Sequence, residues 1–593
     1  MMKIPVQPAN IRSRRGRTVT PGILIISLCL LSQNLLSQKT IISSGTSMTA
    51  TGGEIVFFTD LTNNGSFSNT GNRVSFNGTN HVLDGISPAE FHNLTIENGN
   101  TVTVSSQNNS VDGILLCNGT LYPGGNIILR STASGTALID GEGTGQVSGN
   151  IKMERYLPDG FGYRYISSPF QSTQAGAFED DTDLTTGLPL IYRYDESRSS
   201  SGWVYFSNPT ALLNPFQGYA VNLGVQGVPV TIRLTGIPGN GSCSVTLYNH
   251  NNPVTKGFSL AGNPYPSPID WDSPSGWSRT NIDDAVYYFN PSSTDQYGGT
   301  YSTYMDGVSS NGTATNIIPS MQGFFVHVSD GAWPVEGSMT INNDARLTDQ
   351  THPFAKSGYK EERSLIRIAA MYSDNEKSSD PFVIYYNDKA TANFDGQADA
   401  LKFFNTDPAI PNFYVFGNDN RGLSINGLPN NGDTLCSLRL GLKTEKDGEI
   451  IIKAKDISGI YSNMIINLSD NETGINTDLT GNNEYKVRLP RGDYQNRFFL
   501  NFSQVVTDVP ETLPYDNLFK AWSSKGILMT DIDPDEKFPA MLKIYDLRGQ
   551  LMHAEKVTDG GYHEYAPGLN KGIYIVTFES GTRRVPRKIY FDN

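Results

Sequence analysis

The sequence predicts a mainly β protein of several domains, and three observations carry that prediction. Short runs alternating apolar and polar residues recur along nearly the whole chain. Gly (59), Tyr (29) and Phe (28) are abundant while charged residues make up only 18%. No long amphipathic helical pattern interrupts the alternation. At 593 residues the chain divides into roughly four folding units at the usual ~100–200 residues each. After a leader over 1–38 these are, in order, a β-solenoid-like region over 39–152, an internally duplicated, aromatic-rich β-sandwich-like domain over 153–350, a further β-sandwich over 351–508, and a small Ig-like β-sandwich over 509–593.

The leader combines a basic stretch (Lys3, Arg12, Arg14, Arg15, Arg17) with the apolar run Gly22 to Leu31 and a polar exit through Gln38. That is the pattern of a signal peptide. The run is shorter than the ~20 residues that span a bilayer, and no later segment reaches that length, so the mature chain is expected to have no transmembrane span. A formal charge of −14, concentrated outside the basic leader, predicts repulsion of nucleic acid and anionic lipid. Beyond Cys29 in the leader the cysteines are Cys117, Cys243 and Cys436. They lie in three regions and form no CxxC, which excludes a zinc ribbon or a dithiol redox motif.

From residue 39 to 152 the runs at 72–77, 93–97, 101–105, 113–117 and 126–130 are short, weakly charged and broken by Gly and Asn. Stacked solenoid coils explain such spacing, because each rung buries its face against the next; a β-sandwich is the alternative. The region 153–350 contains a duplication. With an offset of 95, Gly162 to Phe170 aligns with Gly257 to Tyr265, and Tyr192 to Tyr194 with Tyr287 to Phe289. After an insertion the offset becomes 105, and Gln217 to Val221 aligns with Gln322 to Val326. Two equivalent β units forming one pseudo-symmetric domain are expected, with Pro169 over Pro264. Each Gln-Gly pair enters a buried aromatic strand. A charged, Pro-containing stretch, 348–363, reads as a linker. Strand-like runs then follow at sandwich spacing from Leu365 to Phe502, and 508–515 reads as a second linker.

In the last region a strand from Leu542 leads through a turn at Arg548-Gly549 into a second strand, and further strands start at Gly572 and Arg587. The Ile-Tyr-Asp-x-x-Gly pattern (Tyr545, Asp546, Gly549), the Gly-x-Tyr-x-Val pattern (Gly572, Tyr574, Val576) and the terminal Lys588-Ile589 resemble the C-terminal sorting domain of cargo proteins of the type IX secretion system of Bacteroidota. The resemblance implies export across the outer membrane by that machinery, with release or attachment at the surface. Upstream segments, among them Glu154 to Pro158 and Gly262 to Ser267, resemble architecture recurrent in the same cargo group and imply no activity.

No catalytic set emerges from the motifs. Gly257-Phe-Ser259-Leu-Ala261 departs from a nucleophile elbow at its last residue, and its duplicate carries Arg164 where Ser259 stands. The seven histidines are scattered, and His563-Glu564 lacks the second His of a zincin. Gly141 to Gly145 reads as a turn. Two acidic clusters, one with Asp180, Asp181 and Asp183 and the other Asp531 to Asp535, are candidate structural Ca²⁺ sites; no other cofactor is expected. Asp395 and Asp399 share one loop, an arrangement that suits a hydrogen-bonded turn better than a glycosidase pair. Trp203, Trp271, Trp277, Tyr301 and Trp333, with Tyr205, Tyr297 and Tyr304, concentrate in the duplicated domain. Such residues either fill its core or hold sugar rings by their faces. The expectation is a non-enzymatic protein, secreted or attached at the outer-membrane surface, that works in adhesion or binds glycans or surface polymers. A structural envelope or matrix component is the alternative, and a polysaccharide-acting enzyme stands third.

Overall fold

A computed structural model describes residues 39–71, 73–178, 191–206, 208–223, 227–351, 363–388, 390–429, 437–458, 464–481, 483–504, 518–581 and 583–592, with two dipeptide strands at 11–12 and 18–19. Apart from those two dipeptides, the predicted leader over 1–38 lies outside the described residues, as do the 508–515 linker, Cys436, Asp180, Asp181 and Asp183. The chain forms two compact units, Met1–Ser503 and Gln504–Asn593. Both are built of β-strands, and among the described residues no helix is long and apolar enough to cross a membrane.

The first part of the larger unit is a β-solenoid. Its strands stack in parallel on three faces, one face running Glu54–Phe57, Arg73–Phe76, Asn93–Ile96, Ile114–Cys117 and Leu138–Ile139. Period-two alternation turns every second residue inward, so Phe57, Phe76, Ile96 and Cys117 form one buried column in register. The Asn and Gly residues that punctuate the sequence make the corners. Asn93 Oδ1 accepts the Ile114 N–H from the next coil at 2.7 Å, and Asn63 Nδ2 donates to Pro88 O at 2.8 Å. At Gly145 the coils pass so closely that a Cβ would lie 1.8 Å from Gly119 O, which excludes any side chain.

The boundary drawn at 152/153 falls inside a strand. Ile151–Leu157 pairs in parallel with the last solenoid rung, Ile127–Leu129, and antiparallel with Val230–Gly236. One strand therefore ends the solenoid and begins the duplicated domain, which covers an edge that would otherwise expose a row of unpaired backbone groups.

The duplication extends to strand register. In the first copy Tyr163–Ser167 pairs with Gly218–Asn222, which pairs with Ile191–Tyr194 and through it with Trp203–Tyr205. In the second, Phe258–Gly262, Gly323–His327, Val286–Pro291 and Gly299–Met305 repeat that order. The cross-strand pair Ser167 with Gly218 returns as Gly262 with Gly323, and Tyr192 with Ala220 as Tyr287 with Phe325. The copies meet reciprocally: Ser167 N–H donates to Met321 O at 3.0 Å and Gly262 N–H to Phe216 O at 3.1 Å. Ile166 bridges to Gln322, and its counterpart Ala261 to Gln217. Equivalent residues on both sides of a contact are the signature of a two-fold relation. The Gln-Gly pairs belong to this seam, where a Cβ on Gly218 would lie 2.6 Å from Ala261 O.

The stretch expected as the first linker begins as packed chain: just after Leu347, whose N–H donates to Pro268 O, Gln350 O accepts the Thr136 N–H of the solenoid at 3.0 Å. Residues 352–362 are outside the described set. The third region is one 11-stranded sheet that curls over its own core. Tyr485, near one end of the strand order, donates its hydroxyl to Asp470, near the other, at 2.5 Å. Alternation again sorts side chains, with Phe382 and Ile384 turned into that core and Val383 and Tyr385 packed with Tyr287 and Phe325 of the duplicated domain. The smaller unit is a sandwich of a three-stranded and a four-stranded sheet closed around Phe519, Leu542, Val576, Phe578 and Phe591.

Candidate functional site

Two of the clefts formed by the described residues of the larger unit bear on the candidate residues. The first, of about 290 Å³, opens at the seam of the duplicated domain. The first copy supplies Tyr163 and Tyr165, Tyr192, Trp203 and Ala220 from its four strands, the second supplies Phe289, Tyr297 and Tyr301, and the third region adds Thr406 at the rim, where its hydroxyl donates to Tyr297 O. Tyr165 lies flat on Phe289 at 4.7 Å and shares a 2.7 Å hydroxyl hydrogen bond with Tyr301. Tyr163 sits 5.8 Å from Tyr192 and 5.9 Å from Tyr297, which is 66% exposed and forms the outer lip. Burial pushes the Tyr163 hydroxyl up to about 12 and those of Tyr165 and Tyr301 higher, so all three remain protonated donors across the physiological range. Among the described residues no charged side chain lines this cleft.

The second cleft, about 840 Å³, lies between the second copy and the third region and is strongly polar, with Asp272, Asp284, Asp306 and Asp395 beside Arg279 and Arg363. Arg279 covers the Trp271 ring at 4.2 Å and pairs with Asp284 at 3.4 Å, while Arg363 pairs with Asp306 at 2.9 Å. Asp272 accepts the Tyr304 hydroxyl. Burial raises the Asp272 and Asp284 carboxyls, and desolvation outweighs the nearby guanidinium in both.

The structure separates the five aromatic candidates. Trp203 and Tyr301 meet in the first cleft. Trp271 and Trp277 instead pack on each other at 4.9 Å in the core of the second copy. Their indole N–H groups donate to Asp284 O and Asp270 O. Trp271, 1% exposed, is thus a packing residue whose ring face is taken by Arg279. Trp333 is 50% exposed and lines neither cleft. Tyr163, Tyr165, Tyr192 and Ala220 were missed as site residues, although the duplication contains the signal: position 220 is Ala where its counterpart 325 is Phe.

Asp399 accepts N–H groups from Asp395 and Gly427, each at 2.8 Å, so it braces a turn while Asp395 faces the polar cleft. Ser259 lies in the Phe258–Gly262 strand opposite Val326. His327, opposite Phe258, therefore points to the other face of the sheet. In the Asp531 to Asp535 loop, Asp533 caps the Asp535 N–H at 3.0 Å. Among the described residues no three metal-ligating side chains converge.

In the smaller unit Asp546 accepts the N–H groups of Arg548 and Gln550 at 2.9 Å each, which holds its carboxyl below the usual range. Gly549 follows at φ +83°, a conformation glycine adopts without strain. Tyr545 ends the strand before that turn. Tyr574 closes edge-on against Phe591 and donates to Asn570 O at 3.1 Å; Val576 is buried beside it, and Gly572 begins their strand. Lys588 is exposed on the last strand opposite Ile575.

A solenoid joined to a pseudo-symmetric β domain and a curled sheet, with an aromatic cleft at the seam, defines a multidomain β architecture. The chain belongs to the family described as "Domain of unknown function (DUF8693)", whose match covers residues 67–502. That span reaches from within the solenoid to the end of the larger unit. No curated protein matches the sequence. Among solved structures a chain titled "Biofilm associated protein - BSP domain" aligns at 9% identity with a TM-score of 0.11, over 74% of this chain and 92% of that one.

Proposed function

We propose that this is a non-enzymatic protein of the cell exterior, secreted or attached at the outer-membrane surface, that binds glycans or surface polymers in adhesion. One observation carries the reading: the cleft at the seam presents Tyr163, Tyr192, Trp203 and Tyr301 around a space that remains open. Aromatic faces ringed by neutral hydroxyls suit a sugar, whose ring offers an apolar face and a polar edge. A glycan array probed with the full chain tests it; retention on a defined set of glycans is expected, and uniform absence of binding refutes the reading. A structural envelope or matrix role is the second reading, favoured by the burial of Trp271 and Trp277 as packing. The enzyme reading would use the polar cleft, and hydrolysis of any array glycan abolished by Asp272→Asn would establish it.

The proposed route is signal-peptide-dependent export followed by passage through type IX machinery, with the smaller unit as the address. The Asp546 turn and the Tyr574 packing support this by making the motif residues the braces of that sandwich. Deletion of residues 571–593 removes the strands Gly572–Ser580 and Arg583–Phe591. The truncated chain is expected to accumulate in the periplasm of a host with a type IX system, and its delivery to the surface would overturn the route.

A further inference from the structure

The duplication supplies an internal control for the aromatic cleft. In the second copy the equivalent face is occupied by Phe403 of the third region. Phe403 stacks on Phe258 at 4.4 Å with the rings 7° apart, and lies 6.0 Å from Tyr287, 4.1 Å from Tyr301 and 4.9 Å from Phe325. The counterparts of these four residues are Tyr163, Tyr192, Trp203 and Ala220. The offsets of 95 and 105 give the first, second and fourth; Trp203 faces Tyr194 across the ladder as Tyr301 faces Phe289. All four line the open cleft. One copy's face is thus filled by a flat ring from the same chain, and the other copy's face is empty.

The differences between the copies indicate what the open face takes. Ala220 for Phe325 removes a ring and makes room. Tyr163 for Phe258 and Tyr165 for Leu260 keep or add apolar surface while introducing hydroxyls, and Trp203 for Tyr301 enlarges the stacking face. A hydrocarbon ring such as that of Phe403 has no use for such hydroxyls, whereas a ring with a polar edge does. The lining carries no charge among the described residues, and its volume is at the lower end of small-molecule pockets. Resting on the glycan reading above, we propose that the first-copy cleft holds a single neutral pyranose unit, stacked between Tyr163 and Trp203 where the second copy stacks Phe403.

Titration calorimetry of the full chain with the methyl glycosides of glucose, galactose, mannose and N-acetylglucosamine tests this, with glucuronic acid and N-acetylphenylalanine amide as comparison probes. One neutral glycoside is expected to bind at one site per chain, at least ten-fold more tightly than glucuronate. Ala220→Phe, which installs the residue the second copy tolerates, is expected to abolish binding. Tyr163→Phe, which keeps the ring and removes the hydroxyl, is expected to weaken binding several-fold and guards against misfolding of the first variant. Trp333→Ala is expected to bind as the parent does. Glycoside binding that survives both cleft substitutions places the sugar elsewhere and overturns the inference while the glycan reading stands. Tighter binding of N-acetylphenylalanine amide than of any glycoside, lost in Ala220→Phe, overturns it in favour of a partner's aromatic side chain. If no glycoside binds and the array is also blank, both readings fail together.

Discussion

Phe403→Ala removes the ring that fills the second copy's face, and its cost can be worked from the packing. Truncating a buried Phe costs about 3–5 kcal/mol, because transfer free energy is lost and the site collapses only in part. Phe403 is half-buried, which places the loss at about 3 kcal/mol. Of that, roughly 0.5–1.5 kcal/mol belongs to the ring-on-ring geometry with Phe258. The larger unit packs several regions together, so a single unfolding midpoint is a poor measure. Hydrogen exchange resolved by peptide is the better assay. Peptides covering Phe258–Gly262 and Gly323–His327 should exchange roughly 100-fold faster, the rate equivalent of about 3 kcal/mol, while those covering Tyr163–Ser167 stay protected. The vacated site is walled by Phe258, Tyr287, Tyr301 and Phe325, and an apolar cavity of this kind takes up small aromatic molecules. Added benzene should restore part of the protection. Unchanged exchange in the variant, or loosening that begins in the first copy, would refute the assignment of Phe403 as the plug.

Two further outcomes follow from the groups around it. Lys402 and Asp380 form an ion pair, each no more than 3% exposed, with contacts at 2.5 and 2.7 Å, and Asp380 also accepts the Phe413 N–H; Lys402→Met should destabilise by about 3–5 kcal/mol by stranding that carboxylate, and Asp380→Asn in the same chain should recover part of the loss in a double-mutant cycle. Asp399 is pushed up to about 7 by burial, against the two N–H bonds it accepts and with Asp395 and Asp419 adding repulsion. The folded chain therefore holds this proton more tightly than the unfolded one, so its contribution to stability is full below about pH 4 and is lost as pH rises through 7, on the order of 4 kcal/mol in all; exchange in residues 393–399, corrected for intrinsic rates, should be slower at pH 5 than at pH 8, and equal protection at the two pH values would show that the carboxyl ionises freely.

Much of the fold was legible because each region obeys a local rule. Period-two alternation marked the strands, Asn and Gly marked the solenoid corners, and the paired offsets of 95 and 105 led to a register that the two copies share residue for residue. The boundary at 152/153 was misplaced because a strand that serves two sheets leaves no break in composition. The packed start of the 348–363 linker was missed for a related reason: Gln350 contributes a backbone carbonyl, which sequence does not display. The site was only half visible. Trp203 and Tyr301 stand out by residue type, but so do Trp271 and Trp277, and nothing in their local sequence says that Arg279 will cover one of those rings. The informative residue was the small one. Ala220 has no chemistry of its own and becomes meaningful only when set against Phe325.

That comparison explains why the open cleft lies in one copy only. A duplicated domain presents each of its faces twice, but the third region occurs once and covers one of them, with Phe403 inserted and the buried Lys402–Asp380 pair anchoring the adjacent residue. The covered copy is then held to hydrocarbon contacts, and Phe258, Leu260 and Phe325 meet that demand. The uncovered copy would expose the same apolar surface to water, so its residues must be compatible with solvent or with a ligand that replaces it. Tyr163 and Tyr165 carry hydroxyls at the positions where the covered copy has Phe258 and Leu260, and Ala220 yields space. The asymmetry of the two faces is therefore a consequence of joining a two-fold domain to a single neighbour.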